Sequence, residues 1–491
     1  MLTQNATGDS RLSFWLRVRE FAVPPSMIDT ATARRRAGDW AGACAAAAVD
    51  VDLDLRTVAR VHGSELAARV RADLRRLAPD LLRWHMPRIA PDGLLRPGLT
   101  LALARYDAMG RADGPPPCLV ARTPPAWADA GQRISLALWD GSHTGPAARR
   151  HPHPHPDRRF RLDLHRHLWD ARRADELRVR AGVDGPGHGH GAGGPGGLEP
   201  PAPYPLGPEP PGAVPHGYRC AVDRWAAEAG ILLRAEGRPT GAVTVRLGGG
   251  HRLLLDLTAE GDGREHPYAS GTVPPVPRIV PADSAGDVSA LPVLPDAATW
   301  ALPDLELLRA GAIDAGRLHP LVAPVLAPGH SPAGPPRTSH GPGDPHLVEC
   351  RGARHRIGLV DGVLVPLDHD PAEIRREELL AALTGTPLPC LRVIDEAHRR
   401  PDCLAGVRDR LVHGDTAGAL AVVEGLLGPG AALRAGALRD ELETAARRRI
   451  TYGLYRAGLF GPGPTSGRFC PEGRPEDRPR RTRDRRSRVA R

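Results

Sequence analysis

The chain has 491 residues, of which 41% are hydrophobic; its 56 glycines and 53 prolines are too many for one compact domain and too few for a wholly disordered protein. It contains no lysine, so all 66 basic residues are arginine, and the net charge is +9. That charge is not spread over a domain: Arg474 to Arg491 holds nine arginines against Glu476, Asp477 and Asp484, which places +6 of the +9 in a tail and argues against a basic nucleic-acid-binding body.

Read in chain order, the sequence predicts an α+β protein in several small units with Pro/Gly-rich linkers. A first unit, 14–182, opens with helices over 14–88. Asp39 can cap a helix beginning at Trp40, because its carboxylate can accept from unpaired first-turn amides. Leu66, Val70, Leu74, Leu77 and Leu81 recur at helical period and form one apolar stripe, which Pro79 ends or kinks. Short alternating runs at 99–103, 118–121 and 133–139, separated by Gly/Pro clusters, read as antiparallel strands. A helix is expected over Leu162–Arg180, with Leu164, Leu168, Ala171, Ala174 and Leu177 on one side.

Residues 183–217 read as a linker too poor in apolar surface to order itself. A second unit, 218–326, combines a helix, a β-hairpin (243–247 and 252–257 around Gly248–Gly250) and a short helical piece. After a second linker, 327–345, a third unit spans 346–460. Its strands are expected at 347–350, 355–360 and 363–366, with Asp361-Gly362 as a two-residue turn, and helices follow from Pro371 to Leu459. Residues 461–491 read as a disordered Arg-rich tail.

The motifs that carry chemistry are missing or misplaced. Seven cysteines (44, 118, 220, 350, 390, 403 and 470) are widely spread with no Cys-x-x-Cys pair, so neither a disulfide framework nor a zinc ribbon is indicated. His151, His153 and His155 alternate with proline and read as a solvated loop. His165, His167, His188 and His190 add no ligand spacing, and Asp395, Glu396 and His398 read as a charged helix face. Gly248–Gly250 is followed by a strand rather than a helix, which makes it a turn and not a phosphate loop. Gly141-Ser142-His143 lacks the second glycine of a nucleophile elbow. No catalytic, cofactor-binding or metal-ligating residue is therefore assigned, and no cofactor is expected. The polar stretch Met1–Ser13 and the lack of a long apolar run lead to the expectation of a cytoplasmic protein without membrane contact.

Two patterns bear on function. Gly38-Asp-Trp-Ala-Gly-Ala-Cys-Ala-Ala-Ala47 and Gly414-Asp-Thr-Ala-Gly-Ala-Leu-Ala-Val-Val423 agree at six of ten positions: a turn glycine, a capping Asp and a small-residue helix, suited to close helix packing. Val58, Ala59 and Gly63 have the spacing of a helix-turn-helix before an Arg-rich helix, although His62 and Arg69 stand where that motif packs apolar side chains.

The segment Gly418–Ala431 resembles the second helix and following loop of an ankyrin repeat, through Gly418, Leu420, Val422, Val423, Leu426, Leu427, Gly430 and Ala431. The resemblance implies helical hairpins that pack into a protein-binding surface. No 33-residue period continues it, and Thr386-Pro387-Leu388 lies too far upstream to open such a repeat. The chain as a whole resembles actinomycete proteins, which implies lineage and no activity. These readings lead to the expectation of a non-enzymatic protein-interaction or scaffold protein with another protein as partner. The alternative is a nucleic-acid-associated regulator using the tail and a degenerate helix-turn-helix.

Overall fold

The computed structural model of the chain describes residues 8–106, 115–128, 132–141, 151–182, 214, 219–248, 250–257, 278–282, 288, 290–328, 346–350, 352–360, 363–384, 388–391, 402–427 and 437–459. The architecture is α+β. At the N-terminal end, α1 (Gly8–Arg17) runs into a π-helical turn, Val18–Ala22, followed by α2 (Pro25–Arg36) and α3 (Trp40–Ala46). After β1 (Val49–Val51) come α4 (Leu55–His62), α5 (Ser64–Arg76) and α6 (Pro79–His85). The predicted apolar stripe is the inner face of this helical layer: Val70, Leu74, Leu77 and Leu81 are all buried. Pro79 separates α5 from α6 and sits in the first turn of α6, where its missing N–H leaves no bond unmade.

The hairpin β2 (Arg88–Ile89) and β3 (Leu94–Leu95) leads to β4 (Thr100–Arg105), β5 (Cys118–Arg122) and β6 (Ile134–Trp139). These last three are antiparallel, as their alternation predicts. The sheet gains a fourth member the sequence does not signal, because β1 pairs parallel with β6 to give the order β1-β6-β5-β4. Three residues are too few for a strand pattern to emerge.

The expected helix at Leu162–Arg180 is not continuous. Short 3-10 turns at Arg166–Leu168 and Ala174–Glu176 precede a single turn, α7 (Leu177–Arg180). Between them the backbone turns outward to pair with the end of α5: Ala78 N donates to Trp169 O (2.8 Å) and Ala171 N to Arg76 O (2.8 Å). Asp170, 1% exposed, receives Arg166 and the amide of Arg172. Tertiary backbone bonds override the helical period there.

In the middle of the chain, α8 (Val222–Ala235) packs on β7 (Ala242–Gly248), β8 (His251–Asp256) and β9 (Arg278–Pro281) around Trp225, Leu232, Leu233, Val243, Val245 and Leu253. Gly248 and Gly250 take φ of +88° and +86°, so the glycine run serves the hairpin turn. The helices α9 (Asp296–Thr299), α10 (Pro303–Arg309) and α11 (Ala323–Leu326) follow, and Leu305, Leu307, Leu318 and Val322 enter the N-terminal core beside Trp15 and Leu82.

The last sheet, β10 (His346–Cys350), β11 (Ala353–Val360) and β12 (Val363–Pro366), is antiparallel, and its Val360–Val363 pair brackets the predicted turn. Asp361 and Gly362 themselves lie outside the described residues, as do Gly249, Thr386, Pro387, Asp395, Glu396, His398 and the tail. The helices α12 (Pro371–Thr384), α13 (Asp402–His413), α14 (Thr416–Leu427) and α15 (Ala437–Ala457) complete the chain. No described helix is long and apolar enough to cross a membrane.

Candidate functional site

The repeated decapeptide forms two helical hairpins of the same construction, α2–α3 and α13–α14. Gly38 (φ +79°) and Gly414 (φ +87°) make the turns, a left-handed conformation that favours glycine. Asp39 Oδ1 then accepts from Gly42 N (2.8 Å), and Asp415 Oδ1 from Gly418 N (2.9 Å). Each aspartate also receives an arginine from the preceding helix, Arg34 (3.2 Å) or Arg410 (3.0 Å). Gly418 and the next residues of the ankyrin-like segment thus lie on α14, whereas Gly430 and Ala431 fall outside the described residues.

The second hairpin docks on the N-terminal unit through charge and aromatic contacts. Arg17 binds Asp409 (2.6 Å), and the Phe21 ring stacks on His413 with centroids 6.2 Å apart. The fully buried Arg83 joins three distant segments by donating to the carbonyls of Ala22 (2.8 Å), Gln132 and His413 (3.0 Å). Burial, and then the charges of Arg88, Arg83 and Arg17, push His413 down to about 3, so its ring is neutral.

One face of α15 completes this junction. Leu438, Leu442 and Ala445 pack on Val407, Leu411, Ala419 and Val423. Further along, Tyr452 donates to Asp50 (2.6 Å), which also takes a two-bond clamp from Arg133 (both 2.8 Å), while Arg456 reaches Asp52. Burial raises the Asp50 pKa, but the bonds from Arg133 and Tyr452 win and hold it below its ordinary value. A cleft of about 370 Å3 opens between the hairpins, lined by Met27, Thr30, Ala46, Thr416, Arg448 and Arg449.

A smaller pocket, about 190 Å3, places Asp52, Ser135 and His151 together beside Arg122 and Tyr455. These residue types suggest a nucleophilic triad, but the imidazole is committed elsewhere. Its Nε2 lies 2.9 Å from the Thr123 carbonyl and its Nδ1 2.9 Å from the His153 carbonyl. His151 is accordingly buried, not part of a solvated loop, and so are His165 and His167. His165 faces Glu228 at 3.2 Å. The predicted helix-turn-helix positions are also occupied by structural contacts: His62 faces Asp140 (3.5 Å), and Arg69 lies over the Tyr106 ring (5.3 Å).

The cysteines whose side chains are described divide into two groups. Cys44, Cys118 and Cys220 stand apart, and burial pushes their thiols up to about 12, 11 and 12, the opposite of what an attacking thiolate needs. Cys350 and Cys390 instead meet His369, with one ligand atom from each within 4.8 Å of the others. Cys350 ends β10, His369 stands just before α12, and Cys390 lies beyond α12 in a short helical turn. Sequence spacing did not reveal this group, because the fold assembles it from three separate elements.

Comparison with known proteins finds no match: no family model fits the chain, and no curated protein and no solved structure is significantly similar to it.

Proposed function

We propose that the protein is a non-enzymatic protein-interaction protein whose docking surface is the outward face of α15. One observation carries this reading. Beside the face that holds Leu442, Tyr452 and Arg456 against the rest of the chain, about a quarter turn around the helix, Ala446, Ile450, Gly453, Leu454 and Ala457 follow one another at helical spacing and face solvent. Ile450 is 64% exposed and Leu454 38%. An apolar stripe on a rigidly anchored helix fits an apolar groove on a partner, because the helix is already ordered before binding. Small residues at 446, 453 and 457 allow close approach. The ankyrin-like character of Gly418–Leu427 supports the same reading, since packed helical hairpins are a common basis for protein recognition.

A photo-crosslinking residue at position 450, introduced into the full chain in its native cell, tests this. The expected result is one discrete protein adduct that disappears when Leu454→Asp is added. A diffuse set of adducts, or an adduct indifferent to Leu454→Asp, defeats the proposal.

A second reading, a nucleic-acid-associated regulator, is favoured by the exposed run Arg447-Arg448-Arg449, which adjoins the cleft, together with the arginines of 474–491. It requires DNA retention that falls steeply with salt and is lost on removing 474–491.

A further inference from the structure

We propose that Cys350, His369 and Cys390 form a zinc site that pins the last sheet to both ends of α12. The donor set of two thiols and one imidazole is soft, which suits zinc and not magnesium or calcium. The ligand atoms lie within 4.8 Å of one another. On one tetrahedral zinc two sulfurs are about 3.8 Å apart and a sulfur and an imidazole nitrogen about 3.5 Å, given Zn–S bonds of about 2.3 Å and Zn–N bonds of about 2.0 Å, so closing the site needs no more than about 1.3 Å of contraction at any pair.

The second observation concerns the imidazole. The His369 side chain is 4% exposed, and its Nε2 is buried without a hydrogen-bond partner. An imidazole nitrogen left so is costly unless something else satisfies it. The other nitrogen, Nδ1, faces the Glu373 carboxylate at 3.8 Å. A metal-bound histidine is commonly oriented in this way, with one nitrogen to the metal and the other to a carboxylate.

The surroundings hold the ring in place. His355 stacks on His369 with centroids 4.1 Å apart and planes 14° from parallel. The residues beside these two histidines are clamped together: Arg356 Nη2 binds Asp368 Oδ1 (2.7 Å), and the Arg356 amide donates to Asp368 Oδ2 (2.7 Å). Asp370 caps α12 by accepting from Ala372 N (2.9 Å).

Among the described side chains from 346 to 391, Cys350, Pro366, Leu388 and Cys390 are buried, so both thiols lie inside this part of the chain and away from bulk water. In units this short a structural metal commonly adds to what apolar burial supplies. Three protein ligands leave the fourth tetrahedral position to water or a further side chain.

The test uses the full chain under reducing conditions, stripped with a chelator and then dialysed against zinc. About one zinc per chain is expected by elemental analysis, and zinc should shield Cys350 and Cys390 from alkylation while leaving Cys220 unchanged. Cys350→Ser and His369→Gln should lose the metal, Cys118→Ala should retain it, and Glu373→Gln should weaken binding by about 10- to 100-fold. The alkylation pattern is read on the unmodified sequence, so it remains decisive even where a ligand variant fails to fold. Failure to retain zinc, retention by Cys350→Ser, or zinc-dependent shielding that omits Cys350 or Cys390 would each overturn the assignment. So would a Cys350–Cys390 cross-link in the reduced, zinc-treated protein.

Discussion

The hairpins α2–α3 and α13–α14 share a turn glycine, a capping aspartate, a pairing arginine and a small residue after the cap, yet they sit in different surroundings. The first hairpin contributes Ile28 and Cys44 to the large N-terminal core, while the second rests on a small cluster of Val407, Leu411, Ala419 and Val423. The polar part of the motif is graded the other way. The Asp39 side chain is 41% exposed and its Arg34 60%, against 12% for Asp415 and 25% for Arg410. One local design is thus stabilised by apolar burial in the first copy and more by its own electrostatics in the second.

The largest test of this contrast is Arg83→Met, which removes the donors to Ala22, Gln132 and His413 together. Leaving these buried carbonyls unpaired should cost about 3 kcal/mol or more in chemical denaturation. Hydrogen exchange should show α13–α14 loosening more than α2–α3. Equal loosening of both would erase the distinction.

Acidification should produce the next largest effect, again on the second hairpin. His413 titrates near 3 when folded, against an ordinary value of about 6.5, so the unfolded chain binds the extra proton first. Stability is therefore present above about pH 6.5 and is lost as pH falls through that value toward 3. The loss should be on the order of 3 kcal/mol by about pH 4. His413→Gln, which cannot charge, should flatten the pH dependence of the melting temperature over that window.

Smaller effects are expected at Gly42 and Gly418. Alanine normally favours a helix interior over glycine, but a Cβ at either position would overlap the Oδ2 of its capping aspartate. Both alanine variants should lose about 1 kcal/mol in thermal unfolding, Gly418→Ala more than Gly42→Ala because the Asp415 cap is the better buried. Smallest of all, Arg34→Ala should change stability by less than about 0.5 kcal/mol, since its ion pair is exposed, whereas Arg410→Ala should cost more.

Much of this fold was legible because local chemistry and tertiary structure agree. The cap at Asp39, the stripe from Val70 to Leu81, the break at Pro79 and both predicted hairpins follow from periodicity and turn residues alone. Where they disagree, tertiary contacts win. The Leu164–Leu177 periodicity did not give one helix because Trp169 and Ala171 bond to the backbone around Leu77. His151 looked solvated beside its prolines, but the Thr123 carbonyl is within reach of its ring. The thiol–imidazole group was hidden for a different reason. Its members are joined through a sheet and a helix, and no short spacing in the sequence records that juxtaposition.

The guanidinium of Arg83 is bonded to a carbonyl 330 positions later in the chain, and Asp50 to a hydroxyl 402 positions later. During synthesis the N-terminal unit emerges long before either partner exists, so Arg83 lacks the last of its three carbonyl partners and Asp50 its tyrosine hydroxyl until the final helices arrive. Maturation of the earliest-made unit therefore waits on the latest-made one, and a nascent chain halted before residue 402 would carry an unfinished interior.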